Sequence, residues 1–257
     1  MGRSCCGFKR DSSSGQLIPE HKLIRDAAMM GRNLTEPEAY QVIEDYGIPI
    51  PRFGVARSPE EARRLSVSIG YPVVMKIVSP DILHKSDIGG VKLGLANEEA
   101  VREAYEDIMS SVLRKQPDAK IDGILIARAA NKPVDCKGEV GCSDVLEVII
   151  GAVRDPEFGY AVMFGLGGIF VEIARDVVFR VTPVTREDAL GMMSEIKASN
   201  MLDGVRGRAP RDKDALADII VAVSRLVQEN PSISAVDLNP VLSFAKGACV
   251  VDAKIAC

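Results

Sequence analysis

Along this 257-residue chain the spacing of apolar positions switches repeatedly between a helical and a strand period, and the switches mark the elements. Residues from about Leu17 to Gly31 suit a short helix with His21 near its polar start. Thr35 and Glu38 stand at capping-box spacing with Pro37 in the first turn, which predicts a helix running to Tyr46 that Gly47 stops. IPIPRFGVAR is a short extended piece. Ser58-Pro59-Glu60-Glu61 then opens a helix ending at Gly70. YPVVMKIVSP, apolar and Val-rich at its centre, predicts a buried strand. GGVKLGLA is the next strand, Asn97 caps a helix over Glu98 to Arg114, and IDGILIARAA is a further strand. Helices interleaved with strands predict an α/β lobe.

The second half has another texture. LEVIIGAVRD, YAVMFGLGG and DVVFRVTPV read as consecutive strands, with RDPEFG turning between the first two. Helices are predicted over Arg186 to Lys197 and Asp212 to Glu229. ISAVDLNPVLSF, a turn at Lys246-Gly247, and ACVVDAKI close the chain as a hairpin. Strands first and helices later predict an α+β second lobe. The polar stretch 130–145 reads as a loop between lobes. The expected organisation is a flexible polar arm at 1–16, an N-terminal region with the smaller lobe at 17–128, and a larger lobe at 129–257.

Composition narrows the function classes. A hydrophobic fraction of 47% with 26% charged residues supports a buried core. A net charge of −4 opposes a nucleic-acid binder, and no apolar run reaches membrane-spanning length. The six cysteines are scattered without a CxxC or a nearby histidine, so reduced thiols in a cytoplasmic protein are expected rather than zinc or disulfides. Gly2, Cys5 and Cys6 invite an acylation reading, but Cys6 stands where a myristoylation signal wants Ser or Thr.

Candidate chemistry sits at three places. Lys76 lies inside an apolar strand, where an amine either snorkels to a sheet edge or contacts an anion such as phosphate. The turn Asp87-Ile88-Gly89-Gly90 has the composition of a backbone anion nest. His84, one of two histidines, precedes Lys85, Ser86 and that glycine pair; it is either a surface residue or a nucleophile in a phosphate-friendly setting. Asp237 and Asn239 share one strand face, and Asp252 belongs to the partner strand. These oxygens form either solvated acids at a turn or a Mg²⁺ site completed by substrate phosphates. FGLGGIF at 164–170 has GxGG rather than GxGxxG and lacks a following helical pattern, which opposes a Rossmann site.

In order along the chain, GYPVVMKIVSPDILHKSDIGGVKLGL, RDPEFGYAVMFGLGGIFVEIARDVVFRVTP, RGRAP and VDLNPV…VVDAKI together resemble the ATP-grasp β subunit of ADP-forming acetyl-CoA (acyl-CoA) synthetases. The likeness spans about residues 33–257, and the succinyl-CoA synthetase β subunit is more distantly similar. It implies a two-lobed ATP-grasp fold binding ATP or ADP with Mg²⁺, and the reaction acyl-CoA + ADP + phosphate = acid + ATP + CoA. The implied partner is a CoA-binding α subunit, in an α2β2 assembly. Carried onto this chain, the resemblance makes His84 the phosphoryl carrier between an α-subunit phosphohistidine and the nucleotide. It assigns Lys76, with Ser86, Gly89 and Gly90 of the turn, to nucleotide phosphates, and Asn239 and Asp252 to Mg²⁺. Asp237 would orient a phosphohistidine or complete the metal shell, and Glu172 would face the same cleft. The chain departs from the pattern after GILIARAA: residues 130–145 are extra, and Ala127 and Arg128 replace the usual Gln or Glu of the adenine-side hinge. A nucleotide-sensing module without turnover and a stand-alone ATP-dependent carboxylate ligase are the alternatives.

Overall fold

Two antiparallel sheets carry the architecture. In the computed structural model the described residues are 9–10, 17–82, 84–130, 145–168, 176–205 and 207–257. Cys5, Cys6, Cys136, Cys142, Glu172 and most of the expected arm therefore lie outside them. Of that arm, β1 (Lys9–Arg10) pairs with β2 (Leu17–Ile18). The first helix, α1 (Lys22–Met29), starts later than its apolar pattern, because His21 caps it by accepting from the Leu23 N–H. Helix α2 (Glu36–Asp45) begins with the expected capping box and ends before Gly47, whose φ of +76° a glycine adopts without strain.

The smaller sheet contains β3 (Phe53–Ala56), β4 (Val73–Val78), β5 (Val91–Leu95) and β6 (Gly123–Arg128), in the order β3-β6-β4-β5. Helices α3 (Pro59–Ile69) and α4 (Glu98–Lys115) pack on one face. Helix–strand alternation was expected to give an α/β lobe, and the elements do interleave. Every strand pair is nevertheless antiparallel. Val73, Met75, Ile77, Ile124 and Ile126 share the helix-side core with Val101, Ile108 and Val112. The period of two then turns Lys76 and Val78 of β4 and Leu125 of β6 to the opposite face.

The larger sheet runs β11-β10-β7-β8-β9, with β12 also paired to β10. Its strands are β7 (Leu146–Asp155), β8 (Gly159–Leu166), β9 (Val177–Val181), β10 (Ala235–Ser243), β11 (Ala248–Val250) and β12 (Ala253–Ala256). Helices α5 (Arg186–Glu195) and α6 (Lys213–Glu229) cover it. Two expectations change here. ACVVDAKI is not one strand but two, broken at Val251-Asp252. The boundary at residue 128 also cuts across a core, because Ile24, Tyr40, Val42 and Ile43 of α1 and α2 are buried together with Val148, Ile150, Ile220 and Ile255. An amphipathic helix joins whichever apolar face is left uncovered, and chain order does not choose it. Val78 and Leu125 belong to this larger core too, so the two sheets meet through apolar contact beside Lys76.

Candidate active site

The site starts from a break in a β ladder. Pro240 has no N–H to donate, and the register of β10 against β7 shifts between Leu238 and Val241. Across the hairpin the partner strand stops at Val250 and resumes at Ala253. The Asn239 N–H donates to the Asp252 carbonyl at 3.2 Å, bringing these two expected metal ligands side by side. The freed Val251 carbonyl accepts from the Tyr40 hydroxyl at 2.7 Å and from the Lys76 amine at 2.8 Å.

Lys76 is held on three sides. Besides Val251, it donates to Glu36 Oε1 at 2.6 Å and lies 3.5 Å from Asp252 Oδ1. Glu36, the first residue of α2, is only 5% exposed, and its second oxygen accepts from Lys85. Burial works to raise the Glu36 carboxyl, but Lys76 and Lys85 outweigh it and hold the group below its ordinary value. Asp252 moves the other way: burial and the nearby Glu36 charge push its carboxyl up against the opposing pull of the lysines. Its charged form is therefore disfavoured in the absence of a further cation, which suits a site that takes one.

The strand alternation places the remaining hairpin acid. Val236 and Leu238 are buried, whereas Asp237 is half-buried and Asn239 exposed. Asp237 pairs in register with Lys254 and Gly151, and burial raises its carboxyl although Lys254 opposes this. A half-buried carboxylate, Asp252, on a residue joined through its backbone to Asn239 has the chemistry of an Mg²⁺ site with few protein ligands, completed by phosphate oxygens. Among the described residues, no cluster of three or more His, Cys, Asp or Glu side chains forms an all-protein metal cage.

His84 is exposed, and among the described residues it has no hydrogen-bond partner. The turn after it behaves differently from expectation. The Gly90 and Gly89 amides are spent inside the turn, on the carbonyls of Lys85 (2.7 Å) and Ser86 (3.1 Å), so these two do not form an anion nest. Ser111 Oγ and Lys115 Nζ tie the Ile88 and Asp87 carbonyls to α4, each at 2.8 Å. A Cβ on Gly90 would lie 2.6 Å from Ile77 Cγ2, and one on Gly89 2.8 Å from Ser111 Oγ. The glycine pair thus permits close packing of the turn on β4 and α4. Ser86 is exposed beside it.

The structure brings Lys76, Asn239 and Asp252 together, and links them to the His84 turn through Lys85 and Glu36. Sequence reading missed Glu36, which resembles any acid in the first turn of a helix. The signal available was electrostatic: two lysines in one cleft require a counter-charge. At the altered hinge, Ala127 is buried between β3 and β4, and the Arg128 guanidinium donates to the Tyr71 carbonyl at 2.5 Å. A cavity of about 480 Å³ borders Thr35 and Pro37, with Arg57, Tyr105 and Met109 among its walls; no candidate site residue lines it. The other histidine, His21, is structural, capping α1 and pairing with Asp45 at 3.0 Å.

A sequence profile described as the ATP-grasp domain matches residues 27–257. The chain belongs to the ATP-grasp family. Within that family it is 50% identical to the acetate–CoA ligase [ADP-forming] I subunit beta of Pyrococcus furiosus, over 91% of this chain and 96% of that one. Its fold matches a solved dinucleotide-forming acetyl-coenzyme A synthetase 1 of Ca. Korarchaeum cryptofilum, in complex with coenzyme A, Ca-AMPCP and HgCl⁺. The TM-score is 0.82 with 46% identity, covering 91% of this chain and 97% of that one. A second complex of that synthetase, with coenzyme A and Mg-AMPPCP and its phosphohistidine segment pointing towards the nucleotide-binding site, matches with a TM-score of 0.73 and 41% identity. It covers 90% of this chain and 98% of that one. The ATP-grasp fold with mixed helix and sheet content, expected from the sequence, is thus present.

Proposed function

We propose that this chain is the nucleotide-handling β subunit of an ADP-forming acid–thiol ligase, which makes ATP, acid and CoA from acyl-CoA, ADP and phosphate. One observation carries the reading: exposed His84 adjoins Lys85, which shares a buried carboxylate with the phosphate-binding candidate Lys76, in a chain half identical to such a subunit.

The chemistry follows from the side chains. His84, exposed and without a hydrogen-bond partner among the described residues, presents an imidazole nitrogen that accepts a phosphoryl group from a phosphohistidine of a CoA-binding partner. In the second transfer a terminal oxygen of ADP forms the new P–O bond while the N–P bond breaks. The electron pair returns to the ring nitrogen, which takes up a proton. Lys76 places an ammonium where phosphate charge must be balanced. Asn239 and Asp252 would hold Mg²⁺, which when bound neutralises charge on the nucleotide phosphates. Asp237, on the same strand face, would complete that shell or orient a phosphohistidine. An α2β2 assembly and a cytoplasmic location, where acyl-CoA, ADP and phosphate are available, belong to the same proposal. Among the described residues no helix is long and apolar enough to cross a membrane.

The test is ATP formation by the full chain with its CoA-binding partner, acyl-CoA, ADP and phosphate. His84→Ala is expected to reduce it to background without altering the melting temperature, since the side chain is exposed. Undiminished ATP formation by His84→Ala would overturn the relay.

A further inference from the structure

We infer that Glu36 is a positioning residue that yokes the phosphate lysine to the histidine turn, so that nucleotide binding and the placement of His84 become one event. The inference deepens the proposed relay and rests on it for its purpose, but its geometry stands separately.

Glu36 belongs to the larger lobe. It opens α2, whose start is fixed by the Thr35–Glu38 capping box and whose Ala39, Tyr40, Val42 and Ile43 are fully buried in the larger core. Both lysines on it belong to the smaller lobe: Lys76 to the centre of β4, and Lys85 to the turn directly after His84. One carboxylate, 5% exposed, therefore grips two points of the opposite lobe, with a separate oxygen for each. Carboxylate oxygens can each serve one ammonium in this way, whereas an amide offers a single acceptor and turns donors towards the second lysine.

The charges show what the grip accomplishes. Lys76 and Lys85 contribute two positive charges against Glu36 and Asp252, so the cluster is neutral in this form. Lys76 has three N–H donors, and all three face acceptors of the protein: Glu36 at 2.6 Å, Val251 O at 2.8 Å and Asp252 at 3.5 Å. A phosphate oxygen must displace one of them. Asp252 holds the longest contact and is released first, which also frees its carboxylate for a cation. The Glu36 contact persists, so the ammonium stays where it is while its third donor turns to phosphate. Because the same carboxylate holds Lys85, the His84 turn is fixed against the same reference point.

Glu36→Gln in the full chain tests this, with amide hydrogen exchange of residues 85–91 measured with and without MgADP. In wild type, MgADP is expected to increase protection of the turn. In Glu36→Gln the turn should exchange faster and stop responding to MgADP. Affinity for MgADP should be unchanged or higher, because a negative charge beside the phosphate site is gone. Transfer of label from γ-³²P ATP to His84 should fall about tenfold to a hundredfold, the range expected when a reacting group is misplaced. Glu36→Asp should fall between the two, and Lys85→Gln should match Glu36→Gln in the exchange of the turn and in label transfer; both decide the question if Glu36→Gln fails to fold. A wild-type response of the turn in Glu36→Gln, or loss of MgADP affinity with the label-transfer rate preserved, would overturn the inference. If wild type itself takes no label on His84, the relay fails, while the exchange comparison still judges Glu36.

Discussion

Lys76→Met removes one ammonium from the buried cluster while keeping most of the side-chain volume on β4. Lys76 is 12% exposed and Glu36 2% exposed by side chain, so the interaction is screened little by solvent. Breaking a buried pair costs about 3–5 kcal/mol when the abandoned charge has no other partner. Here Lys85 stays on Glu36 and Tyr40 stays on the Val251 carbonyl, which points to the lower end, about 3 kcal/mol at pH 7. For a chain of this length that corresponds to a melting temperature lower by roughly 6–12 °C. The pH dependence identifies the cause. In the folded chain the lysines hold Glu36 below its ordinary value of 4.5 despite its burial. A carboxylate of depressed pKa contributes stability above its unfolded pKa, and the contribution is lost as pH falls through the folded value. Lys76→Met gives up part of that contribution, so its deficit is greatest near neutrality and shrinks below pH 4.5. Urea unfolding of both chains across pH 3.5–7 measures it. A deficit under about 0.5 kcal/mol at pH 7, or one that grows on acidification, would refute the electrostatic account.

Two further predictions use the hairpin and the turn. Asp252→Asn should raise the melting temperature slightly, because burial and Glu36 disfavour its charge; calorimetric titration should show weakened Mg-nucleotide binding. A lower melting temperature with intact binding would contradict this. Gly90→Ala would place a methyl 2.6 Å from Ile77 Cγ2 and 2.9 Å from the Lys85 carbonyl, costing about 1–3 kcal/mol in chemical unfolding; an unchanged midpoint would show that the turn is not packed on β4 as described.

Legibility followed the range of the interactions. The Thr35–Glu38 box, the Ser58 cap on α3 and the Asn97 cap on α4 all appear where their spacing places them, because each bond closes within three or four residues. Lys76 was conspicuous as a cation in an apolar strand, and Asp237 and Asn239 were legible from the period of two. The anion nest failed because glycine composition permits a tight turn but does not say where its N–H groups point; Lys85 and Ser86 carbonyls took them. The break at Val251-Asp252 was invisible because it answers Pro240 on the opposite strand.

Local spacing by itself therefore determined the succession of helices and strands and their caps, and it singled out His84, Lys76 and the hairpin acids as candidates without choosing between their alternatives. Tertiary structure alone decided that α1 and α2 join the larger core, that both sheets are antiparallel, and that Glu36 sits between Lys76 and Lys85. The physical reason lies in sequence distance. Glu36 is separated by 40 residues from Lys76 and by 49 from Lys85, and Lys76 by 176 from Asp252. Contacts of that span are selected by the burial of two apolar faces against each other, which no local pattern of charges records.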